Sequence, residues 1–362
     1  MGCHMPNFPS WNDDIYFRFN PEEVSKEFGV PIDKLDDFHI FAVASHPLKL
    51  DREYKAREPY WVYPLTYAET NSLIRNGSYP LPLNFWKKKH SFTINNRKGK
   101  IEFPEVMAIL NLTPDSFYKG SRFSPEEAEI KLDSLSKVGV RMVDIGGEST
   151  RPGSDTVDAD EEFNRIKEAV SSAIEKKFIV SVDTYKPEVA RRCLEMGADI
   201  INDVMGLRNE EMGLLSKEYD APLVLMHSKG QFKTMQDSPY YENVINEIIQ
   251  YFYGRIRLAT KMGIEGKIII DPGIGFGKRY QDNISILRNL RDLSLGYPLM
   301  IGLSRKSFIG KMMGEETDDR AISSLILNTI AVESSADIIR VHDVEENIKL
   351  VKIVKKIREN YI

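Results

Sequence analysis

Phe178-Ile-Val-Ser-Val-Asp-Thr184 is a short apolar run that ends on polar side chains, and this pattern decides the fold because it recurs along the chain. Seven further runs share it. They are Val106–Leu112, Met142–Gly147, Asp199–Val204, Pro222–His227, Ile268–Gly273, Pro298–Ser304 and Ile338–Val344. The runs have the length and β-branched content of buried strands, and the stretches between them carry helical periodicity.

Eight repeats of strand and helix predict an α/β fold, a (β/α)8 TIM barrel. A doubly wound open sheet also alternates strands and helices, and it is the alternative. The strand count, the length of the region and the even spread of polar strand ends favour the closed barrel. In both folds the functional face lies at the C-terminal ends of the strands.

The first hundred residues differ in composition from the rest of the chain. They hold all three tryptophans and almost half of the aromatic residues, which is too many for a solvated linker. Phe38–Ala44 and Trp61–Leu65 are candidate strands there, and Lys87-Lys88-Lys89 is interpreted as a solvated charge run. We therefore predict an additional N-terminal α/β domain of unrecognised fold and unknown role at 1–100, packed on the barrel or at a dimer contact, and a catalytic barrel at 101–362.

Composition narrows the class of protein. The net charge of −5 gives no general field for nucleic acid. No apolar stretch approaches the roughly 20 residues of a membrane span, and the N-terminus lacks a secretory hydrophobic region. Cys3 and Cys193 are far apart, which argues against a disulfide framework or structural zinc. We expect a soluble, cytoplasmic protein with neither nucleic acid nor membrane as a partner.

Two carboxylates, one carboxamide and one ammonium follow four of the predicted strands. These are Asp183, Asn202, Asp271 and Lys306. A carboxylate can bind two neighbouring N–H groups through charge-assisted hydrogen bonds, while an amide and an ammonium satisfy the remaining edge. The set predicts a site for a flat heterocycle with adjacent N–H donors and a carbonyl. For each residue taken alone, a structural role is the alternative.

A second group of strand-end residues is cationic. It comprises Arg151, Arg305, Arg340 and His342. Arg340 and His342 are two residues apart on one predicted strand, so both side chains point to the same face. Buried cations need a partner, and a guanidinium binds phosphate through two parallel hydrogen bonds. We predict an anion site here; the alternative is that these cations pair only with Asp144 and Glu148.

The glycine-rich stretch Asp271-Pro-Gly-Ile-Gly-Phe-Gly-Lys278 does not match a P-loop. Pro272 replaces the first glycine, and Arg279 stands where a serine or threonine must bind magnesium. The alternating glycines instead predict a backbone that folds closely over a ligand, with Phe276 as an apolar lid. No GxSxG or HExxH motif is present in the sequence, so acyl transfer through a nucleophile and zinc hydrolysis lose support.

From Val106 to Ile362 the chain resembles the dihydropteroate synthases of folate biosynthesis. Seven motifs in order carry the resemblance. They are Asn111-Leu-Thr-Pro-Asp-Ser-Phe117, Asp144-Ile-Gly-Gly-Glu-Ser-Thr-Arg-Pro-Gly153, Ser181-Val-Asp-Thr184, Ile201-Asn-Asp-Val204, Asp271-Pro-Gly-Ile-Gly-Phe276, Ser304-Arg-Lys-Ser307 and Arg340-Val-His-Asp-Val344.

The resemblance implies a transferase that condenses 6-hydroxymethyl-7,8-dihydropterin diphosphate with p-aminobenzoate, or a related arylamine, and releases pyrophosphate. By resemblance, the pterin is bound by Asp183, Asn202, Asp271, Lys306 and Arg340. The diphosphate is bound by Asn111, Arg151, Arg340 and His342, and the arylamine by Thr150, Pro152, Phe276, Lys306 and Ser307. The residues expected to act in catalysis are Lys306, Arg340, Asp183 and Asp271.

Mg2+ is the cofactor that the resemblance implies. Magnesium favours phosphate oxygens and keeps several waters, so we expect Asn111 as its protein ligand and Asp115 as a second candidate. Apart from the small-molecule substrates, the expected partner is a second copy of the chain, because barrels of this family commonly pair through their last helices.

Two segments depart from the family pattern: loop 1 at Phe117–Phe123 and the end of the fifth strand at Met226–Gly230. We interpret His227 as structural. Three other functions stay open. They are a pterin-dependent methyltransferase on the same barrel, an aldolase with Lys306 as Schiff base, and a non-catalytic pterin-binding subunit.

Overall fold

The computed structural model of the protein describes residues 15–18, 21–31, 41–44, 54–55, 61–65, 91–94, 100–112, 125–149, 156–230, 235–314 and 320–359. Two small antiparallel sheets come first along the chain, one of four strands in the order β1-β2-β4-β3 and one hairpin. Their strands are β1 (Ile15–Arg18), β2 (Phe41–Ala44), β3 (Tyr54–Lys55), β4 (Trp61–Pro64), β5 (Ser91–Thr93) and β6 (Lys100–Glu102), with helix α1 (Pro21–Phe28) after β1. Strands β2 and β4 lie within the two runs predicted as strands.

Eight parallel strands follow. They are β7 (Glu105–Asn111), β8 (Met142–Gly146), β9 (Ile179–Asp183), β10 (Ile200–Asp203), β11 (Leu223–Met226), β12 (Ile268–Asp271), β13 (Met300–Ile301) and β14 (Ile338–Val341). They pair in the order β12-β11-β10-β9-β8-β7-β14-β13. The Ile270 amide donates to the Pro298 carbonyl at 2.9 Å, and a bridge joins Ile270 to Leu299. The strands thus form a nearly closed barrel and not an open doubly wound sheet, which confirms this part of the prediction.

Helices separate the strands, as the periodicity predicts. They are α2 (Pro125–Val138), α3 (Ala159–Glu175), α4 (Pro187–Met196), α5 (Glu210–Glu218), α6 (Val244–Met262), α7 (Tyr280–Arg288), α8 (Leu290–Leu293), α9 (Ser307–Met313), α10 (Ala321–Glu333) and α11 (Val344–Glu359). Local sequence sets several ends. The Asp158 carboxylate caps the first turn of α3, and Gly263 ends α6 in a left-handed conformation. Among the described helices none has the length and apolarity to cross a bilayer.

The inside of the barrel is filled by one apolar residue from each strand. These are Met107, Met142, Ile179, Ile200, Val224, Ile269, Met300 and Ile338. Ile94, Ile101 and Phe103, from the β5–β6 hairpin and the residues after it, belong to the same cluster. The layer lies towards the N-terminal ends of the strands, so the hairpin covers that end and leaves the C-terminal ends for polar side chains. The division of the chain at residue 100 stays a prediction, since the hairpin spans it.

The four-stranded N-terminal sheet packs against the outside of the barrel. Phe28, Phe41 and Tyr63 are buried in the same apolar cluster as Ile245 and Phe252 of α6. Strand β1 also contacts α6. The described N-terminal elements therefore share one core with the barrel's outer helices.

Candidate active site

The C-terminal ends of the strands carry the predicted polar residues. Asn111 ends β7, Asp183 ends β9 and Asp271 ends β12. Asn202 lies in β10 and Arg340 in β14. Lys306 comes directly before α9, where Ser307 begins the helix. Because all of these strands are parallel, the residues surround one mouth of the barrel.

Arg340 lies at the centre of this arrangement. Its Nε donates to Asp144 Oδ2 and its Nη2 to Asp183 Oδ2, both at 2.6 Å. The Asn202 amide also donates to Asp144 Oδ2, at 3.0 Å. Asp144, which the sequence offers as a partner for the cations, is completely buried. One guanidinium therefore links the residues predicted for the heterocycle to those predicted for the anion.

Asp183 keeps an acceptor for a ligand. Burial raises the pKa of its carboxyl to about 7; Arg340 opposes this shift, and the nearby carboxylates of Asp144 and Asp271 add to it. Its Oδ1 is buried and has no hydrogen-bond partner among the described residues. A buried, unsatisfied carboxylate oxygen is costly unless an N–H donor reaches it. The structure thus provides the acceptor that a heterocycle with N–H groups needs.

Asp271 and Lys306, which follow β12 and β13, form a second part of the site. Asp271 Oδ1 accepts a hydrogen bond from the Gly273 amide at 2.7 Å. Burial raises the pKa of its carboxyl, against the pull of the Lys306 ammonium. Burial lowers the pKa of Lys306 to about 8, although Asp271 favours its charged form. Lys306 Nζ donates to the Ile274 carbonyl and lies 4.8 Å from the centre of the Phe276 ring.

Asn111 lies beside Asp183, on the other side of Gly146. A Cβ built on Gly146 would come within 3.3 Å of Asp183 Cβ and 3.5 Å of Asn111 Oδ1. The absence of a side chain at Gly146 therefore lets the carboxamide and the carboxylate share one face. Asn111, which is predicted to bind the anion, therefore lies next to Asp183, which is predicted to bind the heterocycle.

The comparisons with known proteins agree with this geometry. A model of the pterin binding enzymes matches residues 107–342. Dihydropteroate synthase of Haemophilus influenzae is 38% identical over 264 residues, which are 72% of this chain and 96% of that protein. The chain belongs to the dihydropteroate synthase family. These enzymes are transferases of folate synthesis, which decides against the aldolase, the methyltransferase and the non-catalytic subunit.

Solved structures of dihydropteroate synthases show the same fold. The Yersinia pestis enzyme with a sulfonamide drug superimposes with a TM-score of 0.70 at 36% identity, and the match covers 74% of this chain and 99% of that one. The Xanthomonas albilineans enzyme with 4-aminobenzoic acid gives a TM-score of 0.67 at 35% identity, over 74% and 98% of the two chains. About a quarter of this chain lies outside these matches.

The remaining predicted site residues either have partners within the protein or lie outside the described part of the chain. Arg305 donates to both carboxylate oxygens of Asp343, at 3.0 and 2.6 Å, so its fork is already occupied. The backbone amide of His342 donates to Ser304 Oγ at 3.2 Å. Asp115, Thr150, Arg151 and Pro152, together with Lys87–Lys89, lie outside the described residues.

Sequence reasoning missed Lys278. The sequence presents Lys278 only within a stretch that fails the P-loop pattern, whereas in the structure it is buried beside His227. The two residues are far apart in sequence, and only the pairing of β11 with β12 brings them together. The closely spaced glycines before Lys278 were the one available signal, because they let a backbone fold tightly around a side chain.

Proposed function

We propose that this dihydropteroate synthase condenses 6-hydroxymethyl-7,8-dihydropterin diphosphate with p-aminobenzoate and releases pyrophosphate. The observation that carries the proposal is the link from Arg340 to Asp183: a guanidinium lies next to a carboxylate oxygen that has no partner among the described residues. A reaction that separates an anionic leaving group from a flat, N–H-rich ring needs both groups at once.

In the proposed complex the pterin lies between Asp183 and Asp271. Its N–H donors reach Asp183 Oδ1, and Asn202 and Lys306 satisfy its remaining polar edge. Arg340 flanks the ring and also faces the diphosphate. Burial of both carboxylates strengthens these hydrogen bonds, because hydrogen bonds are electrostatically stronger in a medium of low dielectric constant.

The diphosphate is proposed to bind Asn111, Arg151, Arg340 and His342, with Mg2+ among its oxygens. No cluster of three His, Cys, Asp or Glu that could hold a metal occurs in the described part of the chain. The Asn111 carboxamide beside Gly146 fits an ion that is held mostly by substrate oxygens and water. When bound, Mg2+ supplies positive charge to the diphosphate.

The proposed chemistry is an alkyl transfer with no covalent enzyme intermediate. The C–O bond to the diphosphate breaks and pyrophosphate leaves with the electron pair. The arylamine nitrogen forms the new C–N bond and passes its proton to water or to a pyrophosphate oxygen. Arg340 and His342 stabilise the departing charge, while Asp183 and Asp271 stabilise positive charge on the pterin. The arylamine is proposed to lie against Thr150, Pro152, Phe276, Lys306 and Ser307. An aniline nitrogen is nucleophilic at neutral pH, so no strong base is required.

Substitution of Lys306 and Arg340 tests this assignment. Lys306→Met and Arg340→Met are each expected to lower kcat/KM for the condensation by about 100-fold or more, because each removes charge from the site of the reaction. The measurement is the rate of pyrophosphate release with both substrates present. Lys267→Met is the matched control, since Lys267 pairs with Asp220 before β12 begins. Unchanged kcat/KM in the Lys306 or Arg340 variant would refute the assignment.

We also propose that the protein is a homodimer that pairs through α10 and α11. Ile322, Ile326 and Ile330 follow one another at four-residue spacing on α10 and are 72%, 55% and 49% exposed. Ile353 and Ile357 on α11 are 59% and 54% exposed. Apolar stripes of this kind are typical of a protein interface, and a second copy presents the same face.

Light scattering after size exclusion measures the proposed dimer. Ile326→Glu is expected to shift the protein from dimer to monomer, because it buries an unpaired charge in the interface. Ile130→Glu is the control, since Ile130 is 68% exposed on α2, away from this stripe. A dimer that survives Ile326→Glu would place the interface elsewhere.

A cytoplasmic location is part of the proposal. Cys193 is a buried, free thiol, which agrees with a reducing compartment. Fractionation of the producing cell, with the enzyme followed by its activity, would test it.

A further inference from the structure

Lys278 is a buried lysine at the end of the loop that follows β12. Only 4% of it is exposed. Its Nζ lies 2.8 Å from the Gly273 carbonyl, 3.0 Å from the Phe276 carbonyl and 3.2 Å from the His227 carbonyl. His227 Nδ1 lies 3.0 Å away on another side. Three carbonyls already match the three protons of an ammonium, so this amine is fully surrounded by acceptors.

The same loop also surrounds the ammonium of Lys306. The Ile274 carbonyl accepts from Lys306 Nζ, and the Phe276 ring lies on the same side. Lys278 holds the carbonyls on either side of this contact, those of Gly273 and Phe276. One short segment is therefore folded around two amines, with Lys306 at the substrate site and Lys278 beneath it.

The remaining polar groups of the loop have partners too. Gln236 donates to the Gly275 carbonyl, and the Tyr241 hydroxyl donates to the Gly277 carbonyl at 2.8 Å. The Gly275 amide donates to Asn283 Oδ1 at 2.7 Å. Side chains of the protein itself thus tie the backbone of this loop at several points.

Close packing explains why a lysine is needed here. Gly273 and Gly277 have positive φ, of 64° and 59°, and a Cβ on either would collide with the carbonyls of His227 and Lys229. No side chain from these positions can fill the space between the loop and the end of β11. The long side chain of Lys278 enters from the end of the loop and supplies the donors that the carbonyls require.

We propose that Lys278 is a positioning residue for Lys306: by holding the Gly273 and Phe276 carbonyls, it fixes the Ile274 carbonyl and the Phe276 ring against the Lys306 ammonium. This inference rests on the proposed function, in which Lys306 contacts both substrates. His227 supports Lys278, since its ring nitrogen and its carbonyl both face Nζ. The His227 ring is itself held edge-on against Tyr251, with 4.9 Å between the ring centres.

The electrostatics of Lys278 agree with an internal role. Burial and the nearby Lys306 ammonium lower the pKa of Lys278 well below its usual value, and Asp271 opposes this shift. Burial lowers the pKa of His227 too, and Lys278 adds to the effect. The three carbonyls that accept from Nζ offset part of the cost of burying this amine.

A double-mutant cycle tests whether Lys278 acts through Lys306. Lys278→Met keeps the length of the side chain and removes its donors, and it is expected to lower kcat/KM for the condensation by about 10-fold or more. In the Lys306→Met background the same change is expected to lower kcat/KM less than about twofold, because the positioned group is already gone. A purely structural role would give the same loss in both backgrounds, and that result would overturn the proposal.

Two controls accompany the cycle. Lys267→Met removes a loop-tying lysine at the other end of β12 and is expected to leave kcat/KM unchanged. Urea unfolding of each variant establishes the fraction folded in the assay. Wild-type kcat/KM in a folded Lys278→Met protein would also overturn the proposal.

Hydrogen exchange on the wild-type protein provides a test that needs neither a folded variant nor turnover. The amides of Gly273, Gly275 and Phe276 are expected to exchange slowly without substrate, as the barrel strands do, because the loop is already tied. Rapid exchange of these amides without substrate would refute a pre-formed loop. An inactive wild-type protein with slow exchange would instead refute the proposed reaction and leave the loop's structure intact.

Discussion

Arg340 holds two carboxylates that would otherwise repel each other. Asp144 and Asp183 both accept from its guanidinium at 2.6 Å, and both are buried. Removing this cation would leave two uncompensated buried charges, which is strongly unfavourable. Arg340 therefore builds the site before any substrate arrives, in addition to its proposed contact with the diphosphate.

The pH dependence of the condensation follows from two shifted groups. The pKa of Asp183 is raised to about 7, so its charged form prevails above that pH. The pKa of Lys306 is lowered to about 8, so its charged form prevails below that pH. We expect kcat/KM to be bell-shaped with its maximum between these values, and to fall about tenfold per pH unit on either side. Initial rates of pyrophosphate release across the pH range measure this.

Asp183→Asn provides the control for the acidic limb. The variant has no carboxyl to titrate, so its lower kcat/KM is expected to stay level as the pH falls below 7. A retained acidic limb in this variant would assign the titration to another group, such as Asp271, whose pKa is also raised by burial.

For single residues, the sequence predicts which side chains belong to the site but not which of them pair with one another. Asp183, Asn202 and Asp271 lie at strand ends as expected, because an apolar run followed by a polar residue is visible in one sequence. The sequence offers Arg340 a substrate anion, or else Asp144 and Glu148, as partners, whereas Glu148 pairs with Lys186 in the structure. Only the closed order of the strands, in which β7 separates β14 from β8 and β9 follows β8, shows that Asp144 and Asp183 bind Arg340 together.

The backbone just after β8 lies close to α3 at Gly147. A Cβ there would lie 2.7 Å from the Glu162 carbonyl and 2.8 Å from Ile166 Cγ2, both in α3. Backbone cannot move aside as a flexible side chain can. The glycine therefore sets the distance between the end of β8 and α3.

Gly147→Ala is expected to lower the free energy of unfolding by about 1–3 kcal/mol, because the added methyl overpacks this contact. Gly254→Ala is the matched control. Gly254 is exposed within α6 with nothing near its Cβ position, so alanine there is expected to raise the free energy by about 0.5–1 kcal/mol. Urea unfolding measures both variants. Equal stability of the two would show that α3 adjusts freely.

The bounds of the strands depart most from the sequence at β13 and β14; the run Ile338–Val344 gives a strand that ends at Val341, and Val344 begins α11. For β13 the predicted run was Pro298–Ser304, whereas the strand covers only Met300–Ile301. Proline has no N–H to donate to a ladder, which shortens the start, and the chain turns away after Gly302. Hydrogen bonding to neighbours therefore limits a strand that its apolar content alone predicts to be longer.

In the molecule as a whole, the N-terminal sheet shares its core with the barrel. The aromatic excess of the first hundred residues predicts that this segment folds; the structure describes strands β1 to β5 within it, and a separate N-terminal domain stays a prediction. Its strand order, with β4 between β2 and β3, could not be predicted, because antiparallel pairing depends on contacts between segments that are distant in the sequence.

Phe41→Ala is expected to lower the free energy of unfolding by about 3–5 kcal/mol, since the Phe41 side chain is completely buried in the shared cluster. Urea unfolding followed by the helical circular dichroism, which comes mainly from the barrel, measures the effect. Leu214→Ala is the control, because Leu214 is 56% exposed on α5 and its loss is expected to change the free energy by less than about 0.5 kcal/mol. An unchanged barrel transition in Phe41→Ala would mean that the sheet unfolds independently.

The number of paired residues differs between neighbouring strands of the barrel. Within the described strands, β12 meets the β13 segment through Ile270 alone, while each of the other neighbouring pairs has a ladder of two or more residues. Asp271 follows Ile270 at the end of β12, and Lys306 comes after β13 on the other side of this junction. If the barrel opens where neighbouring strands share the fewest hydrogen bonds, it widens first between Asp271 and Lys306. A planar ligand could then enter there while the other strand pairs stay intact.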